Sequence, residues 1–210
     1  CGIGFKLIQA IQKEKHRSFD EILNFLDLVA ISIAADVVPL TGENRVLAFY
    51  GLKVINRCPR VGIEAILSYS KIKPEPNAKL YFNRELTISD LVFLVGPRIN
   101  AAGRMESGGK AVELLKSNSR EEVEKIAAEI NQNNEARKDL DKKATEEAKK
   151  MLTSCADLTS KKTTVVYGKD WHKGVIGIVA SRLIEKYYKP TIVFTKSNDL
   201  ITGSARSVKD

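Results

Sequence analysis

This 210-residue chain has few of the residues that staple or metallate small proteins. Its three cysteines, Cys1, Cys58 and Cys155, are odd in number and lack C-x-x-C spacing. That argues against a disulfide framework and a cysteine-rich zinc site. Only two histidines occur, His16 and His172, far apart in sequence. No apolar run is long enough to cross a bilayer, and no signal-peptide pattern opens the chain, so a soluble, cytoplasmic protein with no membrane partner is expected. Internal repeats and low-complexity stretches are also missing. With 43% hydrophobic residues the chain can still build a core rather than a disordered tail. Lysine and arginine number 34 against 26 acidic residues, a net charge of +8. The surplus favours an anionic partner such as nucleic acid without identifying one. The pairs Lys142-Lys143, Lys149-Lys150 and Lys161-Lys162 read as solvated surface. The chain opens on Cys-Gly and ends at Asp210 just after a strand-like segment, which suggests a piece of a longer protein.

The first 118 residues read as mainly helical. Phe5 to Gln12 is helix-compatible, and Phe19 to Ala35 forms one or two buried helices that Asp36-Val-Val-Pro39 breaks. Asn44 to Asn56 and Val61 to Tyr69 are further helices. Ser89 to Val95 resembles a helix with Ser89 as its N-cap. It runs into Gly96-Pro-Arg-Ile-Asn-Ala-Ala-Gly-Arg104, which is too glycine-rich for a plain helix. From Ser119 to Leu152 apolar residues recur at helical spacing behind an approximate capping box, Ser119 to Glu122. This predicts one long helix, or two nearly continuous ones, able to tie two lobes together and set the width of a cleft. A strand over 163–167, a helix over 174–188, a strand over 191–195 and another from Leu200 then make an α/β unit with its first two strands parallel.

Four segments carry chemistry. In Trp171-His172-x-Gly174-Val-Ile-Gly177, glycines bare the backbone at a helix start, where free N–H groups suit a phosphate. In Gly203-Ser204-Ala-Arg206-Ser207, small residues permit close approach and Arg206 can fork two oxygens. Tight helix–sheet packing, with His172 as a helix cap, accounts for these segments equally well. Asp36 leaves a buried apolar helix, either as a cap or as a carboxylate for a hard cation. Arg98, Asn100 and Arg104 sit among residues of little bulk, where guanidinium groups can grip a ligand or pair with acidic neighbours.

In order, Leu28–Leu40, Gly96–Met105, Trp171–Leu183 and Gly203–Ser207 resemble the RecJ family of single-strand-specific DNA exonucleases, within the DHH phosphoesterase superfamily. Cys1–Lys6 looks like the stretch just beyond the Asp-His-His motif. The resemblance implies an α/β protein in three parts: the C-terminal part of a DHH domain (1–118), a long connecting helix (119–153) and the start of a DHHA1-type domain (160–210). It implies 5′-to-3′ hydrolysis of single-stranded DNA with two divalent cations, Mn2+ or Mg2+, in repair and recombination, alongside helicase and single-strand-binding proteins. By the same resemblance, Asp36 is the catalytic metal ligand of the family's fourth motif. Arg98, Asn100 and Arg104 face the cleft, and His172, Gly174, Ser204 and Arg206 bind substrate. The first metal motifs and the Asp-His-His motif are absent from the chain, so it is expected to be inactive alone. The looser turn at Glu106 keeps that residue out of the site. Two rivals are a DHH phosphodiesterase acting on short RNAs or cyclic dinucleotides, and a RecJ-like protein kept as a non-catalytic replication scaffold. Gly203–Ser207 lacks the histidine-bearing glycine turn of the first.

Overall fold

Ten residues of almost unbroken apolar character, Leu26–Ala35, form helix α2, with Leu26, Val29, Ala30, Ile31 and Ala34 buried. A helix apolar on all sides must be wrapped by others. A computed structural model of the chain, which describes residues 1–36, 38–77, 79–105, 108–154 and 160–208, supplies the wrapping. Glu106 and Cys155 lie outside the described residues. Helix α1 (Gly2–Glu14) and a 3₁₀ segment (Phe19–Phe25) cover one end of α2, where Phe5 meets Phe19 edge to face. Helix α3 (Gly42–Arg57) lies along it, and α4 (Val61–Leu67) follows. The close approach of α3 needs Gly51, because a Cβ there would stand 2.2 Å from the Leu26 carbonyl oxygen and 2.7 Å from the Ala30 methyl.

The segment from Ile88 to Met105 departs from expectation twice. Its N-cap is Thr87 rather than Ser89: Thr87 and Asp90 form a reciprocal capping box around the short α5 (Ile88–Asp90). The glycine-rich stretch is a helix after all, α6 (Gly96–Met105). A π turn, Leu91–Val95, precedes it, in which the Gly96 N–H reaches back to Leu91. Such a turn leaves room for Pro97, which has no N–H to donate and would clash with a carbonyl four residues back. Tertiary packing outweighs the low helix propensity of the glycines, because Gly96 lets α6 close on α2; a Cβ there would lie 3.2 Å from Ala35 Cα. Helix α7 (Gly109–Lys116) completes this part. The core of Ile55, Ile63, Ile66, Leu67, Phe82, Leu91, Val95 and Leu114 is almost fully buried. Each such large side chain contributes about 2 kcal/mol.

The expected long helix is a single one, α8 (Arg120–Thr153). Its capping box is not reciprocal. Ser119 Oγ accepts the Glu122 N–H, but the Glu122 carboxylate accepts from Ser117 Oγ. The chain divides into two compact units between Asn133 and Asn134, inside α8. In the second unit, strands β1 (Thr164–Tyr167), β2 (Thr191–Ser197) and β3 (Leu200–Arg206) make a sheet in the order β1-β2-β3. The expected parallel β1/β2 pairing is present, with Thr164 opposite Thr191, and β2/β3 is an antiparallel hairpin. Its turn, Asn198-Asp199, has φ of 50° and 60°, the left-handed pair that a tight two-residue hairpin needs. Helix α9 (Ile176–Tyr187) and the second half of α8 bury Val166, Val179, Leu183 and Val193 on one face of the sheet. The chain is thus α/β, as expected, and no described helix is long and apolar enough to cross a membrane.

The Asp90 carboxyl is held down at about 2, first by the Arg84 guanidinium and then by Thr87. A carboxyl lowered on folding contributes stability above its ordinary value of 3.8 and loses it as pH falls toward 2. Asp90→Asn should therefore cost about 1 kcal/mol at neutral pH. Urea midpoints should show the gap from wild type narrowing below about pH 4; a gap of constant size down to pH 3 would contradict this role.

Candidate active site

Asp36 leaves the end of α2 in extended conformation, with φ −115° and ψ 162°, and is exposed. The chain beyond it is tied back by Asn44, whose side-chain amide donates to the Pro39 carbonyl at 3.1 Å. Asn100, one turn into α6, donates from Nδ2 to the Ala35 carbonyl at 2.8 Å. The carbonyl next to Asp36 is thereby fixed to the helix that carries the arginines. Asp36, Asn100 and Arg104 line one cleft of about 950 Å³, floored by Leu28, Ile31 and Ile99.

Arg98 is placed elsewhere. It is 8% exposed, and its guanidinium donates to Asn131 Oδ1 at 2.9 Å, the Leu94 carbonyl at 2.6 Å and the Tyr69 carbonyl at 3.3 Å. Those bonds anchor α6 to its surroundings, and Arg98 does not line the cleft with Arg104. The helical periodicity of α6 explains the difference. Residues 100 and 104 lie one turn apart on one face, and 98 lies on another.

Sequence reading missed two cations of the cleft, Arg60 and Lys116. Arg60 Nε pairs with Asp27 Oδ2 at 2.6 Å, while its Phe25 neighbour stacks beneath the guanidinium. Burial pushes the Asp27 carboxyl above its usual range, against the opposing pull of Arg60. The signal for this pair was an aspartate one residue inside an apolar helix, which demands a partner.

In the second unit, Trp171 is buried against Gly168 and donates from its indole to Glu147 Oε2 at 2.7 Å. Its carbonyl accepts from Thr195 Oγ1 at 2.6 Å. These contacts hold the next residue, His172, which lines a small pocket with Trp171 and Lys143. His172 Nδ1 accepts the Gly174 N–H at 3.0 Å, which leaves Nε2 to carry the proton of the neutral ring. The expected helix start at Gly174 is therefore corrected. The Gly174 N–H serves a turn, and α9 begins two residues later at Ile176. Ser204 and Arg206 lie opposite Val193 and Thr191 on the face of the sheet that α9 covers. They reach the first turn of α9: a Cβ on Gly177 would meet Ser204 Oγ at 3.2 Å and Arg206 Nη2 at 3.4 Å. Arg206 donates to its neighbour's carbonyl, at Ala205, and is exposed. The structure thus brings Ser204 and Arg206 to Gly177, and His172 to Gly174.

Among the described residues, no three His, Cys, Asp or Glu side chains gather closely enough to hold a cation. Asp36 by itself does not make a two-ion centre, so the residues in hand do not complete the metal site that the resemblance implies.

A helical unit with a carboxylate beside an arginine-lined cleft, followed by a small α/β unit with an arginine on its edge strand, defines an α/β protein suited to an anionic ligand. The known proteins it is similar to are RecJ exonucleases. The chain is 38% identical over 193 residues to the single-stranded-DNA-specific exonuclease RecJ of Haemophilus influenzae, which covers 89% of this chain and 32% of that protein. It is 37% identical over 211 residues to RecJ of Bacillus subtilis, covering 99% of this chain and 25% of that one. The crystal structure of Thermus thermophilus RecJ in complex with Mg2+ superposes with a TM-score of 0.79 at 28% identity, over 99% of this chain and 30% of that one. A crystal structure of exonuclease RecJ bound to manganese gives a TM-score of 0.77 at 27% identity, over 99% of this chain and 48% of that one. No family model matches the chain. In sequence and in fold the chain is similar to a segment of these RecJ proteins, and it spans about a third of the length of the curated relatives it matches.

Denaturant unfolding separates the two arginines of α6. Arg98→Ala should cost about 3 kcal/mol, because buried acceptors lose their donors. Arg104→Ala should stay within about 0.5 kcal/mol of wild type. Equal losses would show that the two side chains do not differ in role.

Proposed function

We propose that a longer protein containing this chain is a RecJ-type exonuclease that hydrolyses single-stranded DNA from its 5′ end, in repair and recombination. In this reading residues 1–118 belong to a DHH domain, 119–153 to the connecting helix and 160–210 to a DHHA1-type domain. Two Mn2+ or Mg2+ ions supply an activated water and charge stabilisation when bound. Asp36 contributes one ligand, and the remaining ligands come from sequence outside these 210 residues. The observation that carries the reading is the joint placement of Asp36, Asn100 and Arg104 on one cleft, with Asn100 bonded to the carbonyl beside Asp36. Asn100 keeps the carboxylate at a set height on the cleft wall. Arg104, exposed and next to it, meets a backbone phosphate. Arg98 acts at a distance, as the anchor of α6. In the second unit Arg206 forks a phosphate further along the strand, with Ser204 and the first-turn amides of α9 beside it. His172 and Gly174 shape the turn that leads into that helix and offer Nε2–H as a donor. Phosphate contacts of this kind carry no base information, which fits an enzyme of low sequence preference. Helicase and single-strand-binding proteins are the proposed partners.

Two substitutions in the longer protein test this together. Asp36→Ala should abolish release of nucleotides from labelled single-stranded DNA and leave binding largely intact, since most affinity comes from phosphate contacts. Near-normal turnover with about 1 kcal/mol lost in stability would mean that Asp36 is only a helix cap. Arg206→Lys should already weaken binding, because an ammonium cannot reproduce the guanidinium fork. Arg206→Ala should lower the slope of log affinity against log salt by roughly 0.7. An unchanged slope would remove Arg206 from the interface.

A further inference from the structure

On the outer face of α3, away from the cleft, residues 46, 49, 50, 53 and 57 follow helical spacing, yet the face is not a solvated one of the ordinary kind. Phe49 and Tyr50 are 53% and 50% exposed, their rings 5.3 Å apart and edge to face. Lys53 Nζ stands 4.4 Å from the Phe49 ring centre and 5.5 Å from that of Tyr50. Below the aromatics a groove of about 770 Å³ opens, lined by Lys53, Arg57 and Lys79 against the single acid Glu85. These three cations are exposed and take no part in the ion pairs found among the described residues. A buried side chain ties the groove floor to the segment that carries Glu85. Asn56 is buried, its side chain bonded to both backbone groups of Leu86 at 2.7 and 3.0 Å. None of these residues lines the Asp36 cleft.

We propose that this face of α3 is a second binding surface for single-stranded nucleic acid. Its chemistry matches that ligand on both counts. Exposed aromatic faces stack unpaired bases, and neighbouring cations neutralise the phosphates that follow. Lysine over an aromatic ring is held by cation–π attraction of only about 0.5–1 kcal/mol at an exposed site. Lys53 therefore swings readily from ring to phosphate, and a base takes the face it leaves. An acidic peptide would satisfy the cations and leave half-exposed Phe49 and Tyr50 unexplained. The surface extends the nuclease reading by giving the strand a hold outside the cleft, but it does not depend on that reading.

A longer protein carrying this chain can be titrated with labelled oligo(dT) by fluorescence anisotropy at several salt concentrations. Phe49→Ala/Tyr50→Ala should weaken binding at least about fivefold. Phe49→Leu/Tyr50→Leu, which keeps apolar bulk on the helix, should weaken it to a similar extent, and circular dichroism checks that both variants stay folded. Lys53→Gln/Arg57→Gln should reduce the salt slope by about 1.4. Arg104→Ala and Arg206→Ala serve as separate arms: if they alone reduce affinity, the cleft reading stands and the α3 surface is overturned. If only the α3 variants lose affinity, the surface stands and the cleft reading fails. Oligoglutamate that competes as well as oligo(dT), with binding indifferent to the aromatic substitutions, would make the face an acidic-peptide site and also overturn the proposal.

Discussion

The close packing of α2 is the constraint on which the first unit depends. Its small residues receive two glycines, Gly51 of α3 against Leu26 and Ala30 and Gly96 of α6 against Ala35. Neither site tolerates a Cβ without a shift of backbone, so both helices are held at one separation. Interiors are packed like organic crystals, and such contacts transmit position. The end of α2 is then a fixed point. The hydrogen bond from Asn100 to the Ala35 carbonyl transfers that fixity to Asp36. The proposed role of Asp36 as a metal ligand needs a supporting shell set to within about half an ångström, and here helices rather than loops provide it.

Charge is distributed by burial in the same unit. Arg98 and Asp27 are inside and are consumed by structure: Arg98 by two carbonyls and Asn131, Asp27 by Arg60 and the Leu28 N–H. Arg104 and Lys116 face the cleft, where a net positive surface remains for a ligand. In the second unit Asp141 is likewise buried and takes Arg182 at 2.7 Å, which fastens α8 to α9 and steadies the helix whose first turn meets Ser204 and Arg206.

Much of this was legible in the residues. The apolar run ending at Asp36, the long glycine-free helix and the strand–helix–strand order are periodic patterns, and periodicity survives folding. What was illegible depended on partners distant in sequence. Gly96–Arg104 reads as a poor helix until the small residues of α2 are set against it. Arg98 and Arg104 look equivalent in the sequence, and only the helical phase of α6 with Asn131 thirty-three residues away separates them. The Gly174 N–H looks free for an anion until the neighbouring His172 ring folds back on it. Arg60 pairs with an aspartate thirty-three residues away, and Lys79 joins Lys53 and Arg57 of α3 only in the fold, so neither the cleft cation nor the complete groove is set out in one segment.

The central claim is that the end of α2 presents Asp36 to a divalent cation in the cleft shared with Asn100 and Arg104. Paramagnetic broadening by Mn2+ tests it without reference to turnover. In a longer protein carrying this chain, with labelled isoleucine methyl groups, Ile31 and Ile99 line that cleft, whereas Ile55 and Ile63 lie in the buried core. The account predicts that Mn2+ broadens Ile31 and Ile99 selectively and that Asp36→Asn weakens the effect. Broadening that spares both methyl groups, or that is unaltered by Asp36→Asn, would contradict it.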